Sequence, residues 1–134
     1  MPKNLAKTLA KDYPNLRFKL NCPRFSYQNG TIYISEDGAY SDLQTLHELG
    51  HALCGHSDFN THIKRLKLER EAWDMAKTLC KKYHVTWNDA YVESCLDTYR
   101  DWLHTKSKCK NCGLTRYQDS SGTYHCPRCE TFIS

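Results

Sequence analysis

Cys109-Lys110-Asn111-Cys112 and Cys126-Pro127-Arg128-Cys129 form two Cys-x-x-Cys pairs separated by 13 residues, and they dictate the fold of the C-terminal end of the chain. In each pair a tight turn brings two thiolates to one ion, and two such knuckles close a tetrahedron around zinc. Between them, Gly113 to Tyr117, the turn Asp119-Ser120-Ser121-Gly122, and Thr123 to His125 read as strand, turn, strand. A segment of about 26 residues has too little apolar surface to fold alone, so the metal must hold it together. The expectation is a four-cysteine zinc ribbon over residues 106–134. Four thiolates leave no open coordination position, which makes this zinc structural. His125, beside Cys126, reads as a bystander.

A second pattern lies upstream, in His47-Glu48-Leu49-Gly50-His51. Histidines four residues apart on a helix project about 40° apart around its axis, within reach of one zinc ion. Glu48 points to the side of the pair, where it can take a proton from a water on that ion. The context supports a helix. Ser41 followed by Gln44 reads as a capping box, and Gly55 reads as a stop. Leu43, Leu46, Leu49, Ala52 and Leu53 are apolar nearly all round, so the helix should be buried. Buried imidazoles and a carboxylate need a partner, and a metal ion supplies one.

A catalytic zinc has three protein ligands and one open position. The candidates for the third are His56, Glu69 and Glu71. A metzincin would place Gly at position 54 and His at position 57, where Cys54 and Ser57 stand. On a continued helix His56 would face away from His47 and could turn back only after the break at Gly55, so it reads as a loop residue. Glu69 and Glu71 flank the apolar stripe Leu68, Ala72, Met75, Ala76, Leu79, Tyr83 of a helix expected from Thr61 to Tyr83. Periodicity does not separate them.

His47-Glu48-Leu49-Gly50-His51-Ala52-Leu53 followed by Glu69-Arg70-Glu71-Ala72-Trp73-Asp74-Met75-Ala76 resembles the ImmA/IrrE group of intracellular metallopeptidases over about Thr31 to Leu79. In that group a Glu-Ala-Asn-x-Phe-Ala segment carries the third zinc ligand. The resemblance therefore implies Glu71 as the third ligand, with Trp73 standing at the Asn position and Met75 at the Phe position. Asp74, one turn on, is a candidate for orienting a histidine. A zincin motif followed by a zinc ribbon also resembles the SprT-like proteases, some of which act on protein crosslinked to DNA. No Gly-His-Gly-type ligand follows the helix here.

The remaining elements expected are a helix from Lys3 to Tyr13, a strand from Arg17 to Asn21, a hairpin of Arg24–Gln28 with Thr31–Ser35 turned by Asn29-Gly30, and a helix from Thr86 to His104 capped by Thr86 and Asp89. Together these make an α+β fold with a small antiparallel sheet: a minimal zincin-like metallopeptidase domain over 1–105, then the ribbon. In zincins an edge strand pairs with extended substrate, and Thr31–Ser35 is the candidate. Cys22, Cys54, Cys80 and Cys95 read as reduced, buried thiols, which with thiolate zinc ligands points to a reducing cytoplasm. Leu5 to Lys11 reads as a short amphipathic helix and not a leader, and no stretch has membrane-spanning length.

The net charge is +4. Residues 61–85 carry seven Lys/Arg against three acids, and residues 106–134 carry five against two. Lys108, Lys110, Arg116, Tyr117, Tyr124 and Arg128 are candidates for a phosphate-binding and stacking surface on the ribbon. The functional expectation is an intracellular zinc metalloendopeptidase with one catalytic and one structural zinc, acting on a protein or peptide substrate that is in some settings DNA-bound. The alternative is a nucleic-acid-binding or adaptor protein whose zincin-like site is not catalytic.

Overall fold

The computed structural model describes residues 2–35, 38–56 and 59–129. Among the described residues the elements run α1 (Pro2–Asp12), β1 (Arg17–Lys19), β2 (Ser26–Gln28), β3 (Thr31–Tyr33), α2 (Ser41–Leu53), α3 (His62–Tyr83), α4 (Asp89–Ser107), β4 (Tyr117–Gln118) and β5 (Tyr124–His125). The fold is mixed α+β with small sheets. Two compact units share it, one from Met1–Ser57 with Arg70–Asn88, the other from Asp58–Glu69 with Asp89–Ser134. Helix α3 thus gives its first turns to the second unit and its remainder to the first. No helix among the described residues is long and apolar enough to cross a membrane.

In the first unit the sheet has the order β1-β3-β2. Asn29 and Gly30 both take positive φ, 48° and 81°, and turn β2 into β3 as an antiparallel hairpin pairing Ser26 with Tyr33 and Gln28 with Thr31. Strand β1 pairs with the far side of β3 in parallel, Arg17 with Thr31 and Lys19 with Tyr33. The sheet is therefore mixed and not the antiparallel sheet expected. The turn chemistry governs the β2/β3 pair alone and leaves the direction of β1 open. Burial explains the order. Ile32 is fully buried, whereas β1 and β2 expose alternate side chains, so the apolar strand takes the middle. A further correction follows. With partners on both sides, Thr31–Tyr33 has no open edge for a substrate strand; the edges are β1 and β2.

Helix α2 packs on β2 and β3 and touches α1. Leu5 and Leu9 of α1, Leu43, Leu46 and Leu49 of α2, and Ala72, Ala76 and Leu79 of α3 are buried with Ile32. The capping box is not formed. Ser41 begins the helix instead of preceding it, and its hydroxyl donates to the Ser35 carbonyl at 3.0 Å, tying the exit of β3 to α2. At the other end Gly55 takes φ +71°, the His56 N–H donates to the His51 carbonyl at 3.0 Å and the Gly55 N–H to that of Ala52 at 3.2 Å. That bond pair is a Schellman stop. Cys54 caps the helix and is exposed, a correction to its expected burial: it follows the last buried turn.

The second unit is built around α4 and the ribbon. Helix α4 starts at Asp89, later than expected, because His84 at φ 56° and the Val85 N–H on the Cys80 carbonyl close α3 and leave an extended link. It also runs on to Ser107, past the expected end at His104, because the ribbon supplies its C-terminal cap. The Arg116 guanidinium donates to the Lys106 carbonyl at 2.7 Å, and the Arg116 N–H to that of Ser107. The start of α3 is held from the ribbon too. Gln118 Oε1 accepts the His62 N–H, and Asn60 Nδ2 donates to the Ser120 carbonyl at 2.8 Å. Gly122, at φ +92°, lets the hairpin turn come so close that a Cβ there would lie 2.9 Å from the Asn60 carbonyl oxygen.

Candidate functional site

Helix α2 brings His47, Glu48 and His51 together. Their donor atoms all lie within 4.8 Å of one another. His47 and Glu48 are only 5% and 7% exposed, on a helix whose inner face is packed against the sheet. Glu48 Oε2 is 3.3 Å from His47 Nδ1, and the two imidazole centroids are 4.7 Å apart. Two imidazoles and a carboxylate at this spacing fit a divalent ion, with the carboxylate near enough to accept a proton from a water on it.

The helix beneath shapes this set. Gly50 meets α3 so closely that a Cβ would collide with the Ala72 carbonyl oxygen, so the glycine inside the motif is what lets the two helices touch. One residue on, the buried Trp73 lays its indole parallel to His47, with centroids 4.0 Å apart and planes at 7°. Trp87 meets Trp73 edge-on at 6.1 Å.

Of the three candidates for a further ligand, none joins the His47, Glu48, His51 cluster among the described residues. Glu71 instead faces His56, with Oε1 3.0 Å from His56 Nε2. The other nitrogen of His56, Nδ1, is 2.9 Å from His51 Nδ1. His56 therefore stands between His51 and Glu71. Helical periodicity alone places it away from the site, whereas the Schellman turn folds it back. The signal is present in Gly55: the residue after an αL glycine lies beside the one five positions earlier. Glu69 is buried at 8% in the other compact unit, and Asp74 is exposed. Desolvation and the nearby Glu71 and Asp74 carboxylates push the Cys54 thiol up.

The ribbon cysteines form a second cluster: Cys109, Cys112, Cys126 and Cys129, with donor atoms again within 4.8 Å, could hold a metal ion. Sulfur separations of 3.5 Å (Cys112 to Cys126) and 3.8 Å (Cys109 to Cys129) suit neighbouring corners of one tetrahedron. The knuckle turns aim backbone N–H groups at the first sulfur of each pair. Those of Cys112 and Asn111 bring the Cys109 thiol down to about 6, and those of Cys129 and Arg128 lower Cys126. Cys129, facing the other sulfurs, is pushed up to about 12. Protons shared among four sulfurs are what a cation would displace.

His125 is not idle: Nε2 lies 2.7 Å from Asp119 Oδ2, and its ring stacks on Tyr117. Arg116 lies 4.5 Å over the Tyr124 ring, and the Tyr124 hydroxyl meets His62 Nδ1 at 2.7 Å. Arg116 and Tyr124 are thus internal to the unit, and the basic, aromatic surface expected on the ribbon narrows to Lys108, Lys110, Tyr117 and Arg128. Arg65 is likewise internal, packed over Phe59, Tyr99 and Trp102 at 5.0–5.5 Å. No protein-family model matches the chain, and no curated protein or solved structure is significantly similar to it.

Proposed function

We propose that the chain is a zinc-dependent metallopeptidase that hydrolyses peptide bonds of a protein substrate inside the cell. The observation that carries this reading is the buried cluster of His47, Glu48 and His51 on α2. His47 and His51 hold the ion, and Glu71 is the third ligand implied by the resemblance to the ImmA/IrrE group. A carboxylate has lone pairs enough to accept the His56 N–H on one oxygen and to bind a metal with the other. Zinc held there would supply a water of lowered pKa and Lewis-acid polarisation of a carbonyl. Glu48 would serve as the general base for an attacking water and as the proton donor to the leaving amine. The open edge of β2, the strand of the mixed sheet on which α2 packs, is the place for extended substrate backbone to add as a further strand.

The ribbon takes a structural zinc and presents Lys108, Lys110, Tyr117 and Arg128, which favours a substrate held near nucleic acid. The same surface would serve an adaptor that binds nucleic acid without cleaving protein, and the Glu48 variant separates the two. With an unstructured protein such as casein as substrate, zinc-loaded wild type should cleave. Glu48→Gln should lose about 10²–10⁴-fold in rate while retaining zinc. A variant that cleaves as fast as wild type would refute the mechanism.

A further inference from the structure

We infer that His56 is a positioning residue that fixes the tautomer of His51, so that a metal meets His51 at Nε2. This rests on the reading above in one respect, that His51 holds the ion. The arrangement has four parts. Glu71 Oε1 is 3.0 Å from His56 Nε2, and His56 Nδ1 is 2.9 Å from His51 Nδ1. The His56 side chain is only 7% exposed. The Schellman bonds at Gly55 hold its backbone beside that of His51.

The donor and acceptor roles follow from the carboxylate. A carboxylate oxygen is an acceptor, so at 3.0 Å His56 Nε2 carries the N–H and donates it. In the neutral ring His56 Nδ1 is then an acceptor. The donor in the second bond is therefore the Nδ1–H of His51, and the lone pair of His51 is at Nε2. The reversed assignment would set a ring lone pair of the nearly buried His56 against a carboxylate oxygen at 3.0 Å, a repulsive contact that costs free energy although the Glu71 side chain is itself 44% exposed. Metal-binding histidines elsewhere donate their second N–H to a carboxylate or carbonyl. Here a second imidazole is interposed, and the carboxylate acts through it. His56 also links the end of α2 to α3, so one side chain sets the orientation of His51 and the placement of Glu71 together.

The test compares zinc affinity of the His47/His51 site, by chelator competition, in wild type, His56→Phe and His56→Gln. Phe keeps a planar ring of similar size and deletes both hydrogen bonds; Gln restores a donor and an acceptor. We expect Phe to weaken this site about 10–100-fold with the ribbon zinc unaffected, and Gln to recover part of the loss. Equal affinity in wild type and the Phe variant would overturn the inference while leaving two bound zincs and the proposed activity intact. A wild type that holds zinc at the ribbon alone would instead overturn the underlying reading and this inference with it. Because the Phe variant could fail to fold, a second measurement uses wild type. Long-range nitrogen-proton NMR of the metal-loaded protein should show His56 in the Nε2–H form and His51 in the Nδ1–H form. Finding His56 in the Nδ1–H form would overturn the assignment.

Discussion

Replacing Trp73 by alanine removes the largest fully buried side chain among the described residues and the plate on which His47 rests. We expect a loss of about 3–5 kcal/mol, measured by urea denaturation. Trp73→Phe should recover much of that and keep the stacking face. The same logic applies to Leu46, fully buried on α2, where alanine should cost about 2–5 kcal/mol. At this scale the sequence is an uneven guide. His47, Glu48 and His51 declare themselves, because their spacing and helical geometry alone decide that they share a face. Trp73 is visible only as a departure from the resembled pattern. Its stacking depends on how α3 crosses α2, which no local spacing encodes. Periodicity misplaces His56 because it presumes an unbroken helix, although Gly55 already specifies the reversal.

Between elements, Gly50 has the most restrictive environment. Gly50→Ala should drive α2 from α3 against the Ala72 carbonyl, with a cost on the order of 1–3 kcal/mol or more and weakened metal binding at His47 and His51. Unchanged thermal unfolding in that variant would refute the packing. In the ribbon, Asp119 Oδ1 accepts from the Ser121 hydroxyl and from the N–H groups of Ser121 and Thr123. These contacts, the Ser121 hydroxyl foremost, with His125 next, hold the Asp119 carboxyl well below the usual range. A carboxyl depressed on folding contributes stability above its unfolded value, about 3.9, and loses that contribution as the pH falls further. NMR titration of the Asp119 carboxyl carbon should show this low value, and an ordinary one would refute it. The α2, α3 and ribbon hairpin positions are legible from caps, stripes and turns. The mixed sheet and the length of α4 are not. Strand order is decided by which strand is apolar enough for the middle, and the end of α4 by Arg116, ten residues beyond Lys106.

For the whole molecule, the two side-chain clusters that could hold a metal ion belong to units of different make-up. The first unit has its own core of leucines, Ile32 and Trp73, whereas the ribbon offers its cysteines and two two-residue strands. Chelation should therefore abolish hydrogen-exchange protection in residues 109–129 and leave α1 and α2 protected. Loss of protection throughout would mean that the first cluster, too, is required for folding. Whether His47 and His51 hold zinc can be read from anomalous diffraction at the zinc absorption edge of zinc-replete crystals. Two peaks are expected, one among Cys109, Cys112, Cys126 and Cys129 and one against His47 and His51 beside Glu48. A single peak among the four sulfurs would rule out a metal at the two histidines.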